Sequence, residues 1–127
     1  MGRRLLPLEG KSVLIVEDNF LIAQELHQMI LDADGTVLGP VPSGDAAAQY
    51  LEDIETIDAA VLDVRLAHGS TCFSIAEQLK MLRVPFVIAS AYDSSILPPN
   101  LSTAVFLPKP FMADELVSIV RHSIQFR

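Results

Sequence analysis

The chain has 127 residues, enough for one domain with a single hydrophobic core. Apolar residues make up 50% and charged residues 20%, which excludes an intrinsically disordered chain, and a net charge of −7 argues against nucleic acid and anionic membrane as direct partners. The single cysteine, Cys72, rules out an intrachain disulfide and fits a reducing cytoplasm.

The start carries Arg3-Arg4 but no apolar stretch long enough for a signal peptide, and no segment is long enough to span a bilayer. Leu6 stands where a myristoylation motif beginning at Gly2 wants Ser or Thr. Residues 1–10 are therefore expected to be a flexible leader. Val13-Leu14-Ile15-Val16 is a wholly apolar, β-branched run, as expected for a strand covered on both faces, and it ends in Glu17-Asp18. Ile22, Leu26, Met29 and Ile30 then share one helical face, and Asp34-Gly35 is a stop signal. Thr36 to Gly39 reads as a weaker strand ended by Pro40 and Pro42. Ser43 is placed to cap a helix carrying Ala47, Tyr50, Leu51 and Ile54 on one side.

The next apolar run, Ala59-Ala60-Val61-Leu62, delivers Asp63. A helix with Cys72, Ile75, Ala76 and Leu79 on one face follows, and on that pattern Cys72 is a small core residue rather than a nucleophile. Phe86-Val87-Ile88-Ala89 delivers Ser90, and Ala104-Val105-Phe106-Leu107 leads to Lys109-Pro110. Between them, Pro98-Pro99 allows at most about one helical turn after Asp93 or Ser94, because each proline removes a donor and clashes with the preceding turn. Leu116, Ile119, Val120 and Ser123 mark a final helix. Strands and helices alternate about five times, which predicts an open, doubly wound parallel sheet with its chemistry at the carboxyl ends of the strands.

Glu17, Asp18, Asp63, Ser90 and Lys109 all fall at those ends. Singly, each has an ordinary explanation as a cap, turn or surface residue. Together they converge on one crevice. Two carboxylates about 5 Å apart repel by roughly 3 kcal/mol at an effective dielectric of about 20. Three of them with one lysine call for a hard divalent cation, and magnesium, or manganese in its place, suits an all-oxygen site that also meets a phosphoryl group. Asp63 is then the candidate nucleophile, with Lys109 and the Ser90 hydroxyl holding phosphoryl oxygens.

This set, Glu17-Asp18, Asp63, Ser90 and Lys109-Pro110, resembles the receiver domain of two-component response regulators, and the resemblance runs from about Lys11 to the end. It implies a flavodoxin-like five-stranded sheet of order 2-1-3-4-5 with about five helices, and a receiver domain over residues 11–127. It implies that Asp63 is the phospho-acceptor. Asp18, Asp63 and the backbone carbonyl of Arg65 would bind the metal directly, and Glu17 would act through a water. Ser90 and Phe106 would be the switch residues, a cis bond would precede Pro110, and phosphate would come from a histidine kinase or a histidine phosphotransfer protein. The last helix runs to the end of the sequence, so a stand-alone type is expected, whose output is contact with an effector, a homodimer, or storage of phosphate. Four positions depart from the commonest pattern: Glu17 for Asp, Ser90 for Thr, Ala67 for Pro, and the Pro98-Pro99 interruption of the fourth helix.

Other classes compete. A flavin-binding domain of the same sheet order needs a Gly- or hydroxyl-rich loop after the first strand, where this chain has Glu17-Asp18-Asn19-Phe20. A phosphohydrolase with an aspartyl nucleophile usually has a second Asp just after it, and here Val64-Arg65 follows. A degenerate receiver serving only as a protein-binding module is opposed by the intact Asp63 and Lys109. His68 lies in the loop after Asp63, either exposed or reaching the crevice, while His27 and His122 are expected on solvated helix faces.

Overall fold

The computed structural model describes residues 6–125. Five parallel strands form one sheet in the order β2-β1-β3-β4-β5. They are β1 (Ser12–Val16), β2 (Thr36–Val41), β3 (Ala59–Leu62), β4 (Phe86–Ser90) and β5 (Val105–Pro108). Four α-helices flank it: α1 (Phe20–Asp32), α2 (Gly44–Ala48), α3 (Phe73–Met81) and α4 (Ala113–Gln125).

Both faces of the sheet are covered, which is why its central strands are apolar throughout rather than alternating. Leu14, Val16, Ala60, Leu62 and Ile88 pack with Ala47, Ile75, Ala76 and Leu79 on the α2/α3 side. Val13, Ile15, Val61, Val87 and Ala89 pack with Leu26, Ile30, Leu116 and Val120 on the α1/α4 side. The helical faces read from spacing are thus the core-facing ones, with Tyr50, Leu51 and Ile54 only half-buried against the α2/α3-side core.

Three expectations need correction. Residues 1–5 of the expected leader lie outside the described residues, but within 6–10 Leu8 is fixed: it is 0% exposed and its N–H donates to the Ala33 carbonyl at 3.0 Å, while Leu6 and Gly10 remain exposed. One leucine of this segment thus finds a slot beside the end of α1. Second, Pro40 does not end β2, which runs to Val41. A bulge in β2, opposite Leu14 to Val16 of β1, lets the edge strand pass Gly39-Pro40 before pairing resumes at Val41. Gly39 has a φ of +86°, and a Cβ there would meet the Val41 nitrogen at 2.8 Å, so only glycine fits. Third, the segment after Ser43 is α-helical only to Ala48 and continues as a 3₁₀ helix, Gln49–Thr56, with Asp53 out of helical conformation. As expected of a short or irregular fourth helix, four segments among the described residues are α-helical. The fourth-helix region is two single 3₁₀ turns, Ser94–Ile96 and Pro99–Leu101, split at Leu97-Pro98 as the two prolines require. The Lys109–Pro110 bond is cis, as expected, and so is Gly39–Pro40.

Helices α1 and α3 end in the same way. Asp34 N–H donates to Leu31 O and Gly35 N–H to Ile30 O; Arg83 N–H donates to Lys80 O and Val84 N–H to Leu79 O. These are Schellman caps whose left-handed residue is Asp34 (φ 67°) or Arg83 (φ 61°) instead of glycine. A left-handed arginine costs about 1–2 kcal/mol, and glycine's larger entropy loss returns part of that. Arg83→Gly is expected to stabilise the domain by about 0.5–1 kcal/mol, read from urea unfolding midpoints at unchanged slope.

Candidate functional site

The sheet order places the carboxyl ends of β1, β3, β4 and β5 along one edge, and each contributes to a single crevice. After β1, Glu17 turns inward and is only 3% exposed, whereas Asp18 is exposed. Glu17 Oε2 accepts from the Asn19 N–H at 3.2 Å, and Asn19 in turn caps α1 by accepting from the Ile22 N–H. This tight local arrangement fixes where β1 hands over to α1. After β3, Asp63 is anchored by its Oδ1, which accepts from the Val64 N–H at 2.8 Å. Oxygens of Glu17, Asp18 and Asp63 all lie within 4.8 Å of one another.

Lys109 answers these charges from the end of β5. Its Nζ is 2.9 Å from Glu17 Oε1 and 3.4 Å from Asp63 Oδ2. The sequence placed one lysine among the three carboxylates without choosing between them; its shorter contact is with the buried Glu17. Burial pushes the Glu17 carboxyl above its ordinary range, and the neighbouring Asp63 adds to this while Lys109 opposes it. At about 4.8 Å, each carboxylate pair repels by roughly 3.5 kcal/mol at an effective dielectric of about 20. Three carboxylates and one ammonium leave two negative charges, which one divalent cation balances. The donor set is all oxygen, and Glu17 already spends both carboxylate oxygens on Lys109 and Asn19, so Asp18 and Asp63 are the better direct ligands. The residues present fit magnesium.

Ser90 is fully buried at the end of β4. Its hydroxyl accepts from the Tyr92 N–H at 3.0 Å and keeps its own proton to donate. Its carbonyl accepts from the Lys109 N–H at 2.8 Å, tying β4 to the residue that carries the ammonium. Phe106 is half-buried in β5 and packs on the α3-side core. In the loop after Asp63, an isolated antiparallel bridge joins Arg65 to Thr71 through Leu66 N–H to Ser70 O and Cys72 N–H to Val64 O, which leaves the Arg65 carbonyl outside the bridge. The Arg65 guanidinium lies over the Tyr92 ring at 4.8 Å, a contact linking the Asp63 and Ser90 loops that sequence spacing had no means of showing.

Cys72 is buried, and that burial, with Asp63 nearby, pushes its thiol up to about 12, so it is a core residue and not a nucleophile. His68 is exposed, as are Asp18 and Arg65. Among the described residues no helix is long and apolar enough to cross a membrane.

No family model matches the sequence. Among solved structures, SdrG from Sphingomonas melonis Fr1 is 32% identical, with a TM-score of 0.77 over 94% of this chain and 98% of that one. A response regulator receiver protein from Sinorhizobium medicae WSM419 shares the fold at a TM-score of 0.79 and 22% identity, over 93% of this chain and 97% of that one. The phyllosphere-induced regulator PhyR of Methylorubrum extorquens is 25% identical over 128 aligned residues, covering 99% of this chain and 48% of PhyR. The chain spans about half the length of the curated relatives it matches. The fold, the sheet order and these likenesses place the chain in the response regulator receiver-domain family.

Proposed function

We propose that this receiver accepts a phosphoryl group on Asp63 in a magnesium-dependent reaction, from a phosphohistidine on a histidine kinase or phosphotransfer protein. The observation that carries this is the meeting of three carboxylates within 4.8 Å with one lysine, 3.4 Å from Asp63. An Asp63 carboxylate oxygen attacks phosphorus, the P–N bond breaks, and its electron pair leaves on the imidazole nitrogen. Asp63 is held for this by the Val64 N–H, which fixes the carboxylate plane. Lys109 bonds one phosphoryl oxygen, and Ser90 donates its free proton to another. Asp18, Asp63 and the Arg65 carbonyl would hold the metal, with Glu17 acting through a water. Bound magnesium supplies charge neutralisation for the incoming phosphoryl group.

In this reading residues 11–127, with Leu8 docked on them, act as a cytoplasmic switch rather than as an enzyme, apart from slow hydrolysis of the Asp63 phosphate. Ser90 and Phe106 follow the phosphorylation state, and the two short turns at 94–101 report it to an effector protein or a second copy. Storage of phosphate is the other output. The β1 loop opposes a flavin-binding reading, because Glu17 and Asp18 stand where a phosphate would need N–H donors.

Magnesium titration followed by amide NMR tests the site directly. Shifts are expected near Asp18, Asp63 and Arg65, and Asp18→Ala should weaken binding at least about tenfold, equivalent to roughly 1.4 kcal/mol. Equal affinity in Asp18→Ala would sink the metal assignment.

A further inference from the structure

At the opposite end of the sheet from the crevice, a cavity of about 480 Å³ opens between the end of α3, the amino ends of β4 and β5, and the Pro99–Leu101 turn. Its walls include Val84, Phe86, Leu101 and Val105, and its rim carries Lys80 and Arg83. The chain has 16 acidic residues against 9 basic ones, yet no Asp or Glu lines this cavity. It is thus a locally cationic, largely apolar hollow on an acidic protein.

Arg83 supplies a second, independent observation. It holds the left-handed position of the α3 cap, where glycine is the inexpensive choice. Its guanidinium pairs with no carboxylate among the described residues, so the strained residue is not kept there by an internal ion pair. Lys80 donates to the Asn100 carbonyl at 2.7 Å, which holds its ammonium at the rim with its charge uncancelled. An arginine with no carboxylate partner among the described residues, lining an apolar cavity whose rim also carries Lys80, points to an anionic ligand.

The geometry points to a binding site for a small organic carboxylate with a flat apolar body. The guanidinium fork matches a carboxylate's two oxygens, Lys80 adds a second cation, and the apolar walls take the body. The volume lies within the range of small-molecule sites. Nothing in this proposal depends on phosphorylation of Asp63.

The test uses 2-naphthoate as the probe and its uncharged isostere, naphthalene-2-carboxamide, as the control. Amide NMR titration with 2-naphthoate is expected to give saturable shifts at Arg83, Val84, Leu101 and Val105, with the carboxamide at least about tenfold weaker. Arg83→Gly and Arg83→Asn both suit a left-handed backbone, so both should remain folded, and both should lose at least about tenfold in 2-naphthoate affinity. Equal binding of the two probes, unchanged affinity in both variants, shifts confined to other surfaces, or no shift up to about 5 mM would each overturn the site. The magnesium titration of the crevice is a separate measurement, so failure of one reading is distinguishable from failure of the other.

Discussion

Asp63→Asn is expected to take up no phosphoryl group from acetyl phosphate in the presence of magnesium, a fall of at least about 100-fold in label to background, equivalent to about 2.7 kcal/mol or more of lost transition-state stabilisation. An amide has no anionic oxygen to attack phosphorus, so the loss follows from chemistry rather than from shape. Asparagine nearly matches aspartate in volume, and its carbonyl oxygen can still accept from the Val64 N–H, which Asp63 Oδ1 now does at 2.8 Å. The substitution also removes a like charge that helps push Glu17 above its ordinary range. The variant should therefore fold at least as stably as the wild type without magnesium, and unfolding cannot account for missing label. Intact-mass measurement checks both proteins side by side, and the +80 Da species should be absent only in the variant. Label retained at Asp18, the exposed neighbour, or anywhere else in the variant would show that Asp63 is not the sole acceptor.

Much of this site was legible before any coordinates, for a definite reason. In a parallel sheet covered on both faces, the strand is a block of apolar residues and the first polar residue after it marks the carboxyl end. Glu17, Asp63, Ser90 and Lys109 stand out in this way, and the sheet order then brings them together without further information. What failed depended on partners distant in sequence. Pro40 looked like the end of β2, because a bulge is defined by the opposing strand and β1 lies more than 20 residues earlier. Leu8 is one apolar residue with no period around it, and its burial comes from docking beside Ala33. The segment from Gln49 to Thr56 carries apolar spacing that suits 3.6 or 3.0 residues per turn equally well over so short a length, and Asp53 breaks the helical conformation within it. The left-handed Arg83 had no sequence signal, since glycine is what a cap of that type advertises.

The fourth-helix region shows the reverse case, in which a local rule wins over the fold's usual pattern. Asp93 caps the first turn by accepting from the Ser95 N–H at 2.8 Å, and Pro98 stops it one turn later. Leu101 of the second turn is nevertheless only 1% exposed, so the segment is anchored at its far end while its near end, Ala91 to Ser95, is exposed. That near end starts at Ser90, whose hydroxyl bonds the Tyr92 N–H. A change at the Ser90 hydroxyl therefore acts on a segment with little packing to resist it.

Lys109→Met should destabilise the protein by about 2–3 kcal/mol at pH 7.5 in EDTA, and the loss should shrink as pH falls toward 4.5. Methionine keeps most of the side-chain stem, so packing is largely preserved and the change isolates the charge. Removing one partner of a buried ion pair costs about 3–5 kcal/mol; here the Lys109 side chain is 15% exposed while that of Glu17 is 0% exposed, which sets the expectation at the lower end. The sign follows from Glu17. Its folded value lies above the ordinary carboxylate value, chiefly through burial, so the native state binds more protons than the unfolded chain as pH rises past that ordinary value. That contribution is fully present at low pH and fades as pH rises through the folded value. Without Lys109 the folded value rises further, so at pH 7.5 the variant must either bury an unpaired carboxylate or protonate it. As pH falls below the folded value, Glu17 becomes neutral in both proteins and the ammonium has little to compensate. Urea unfolding at a series of pH values measures this difference. A loss that stays constant with pH would assign it to packing rather than to the ion pair. The double variant Glu17→Gln with Lys109→Met should then recover most of the loss at pH 7.5, because the buried charge and its partner leave together. If the double variant is as unstable as Lys109→Met alone, Glu17 is not what Lys109 holds in place.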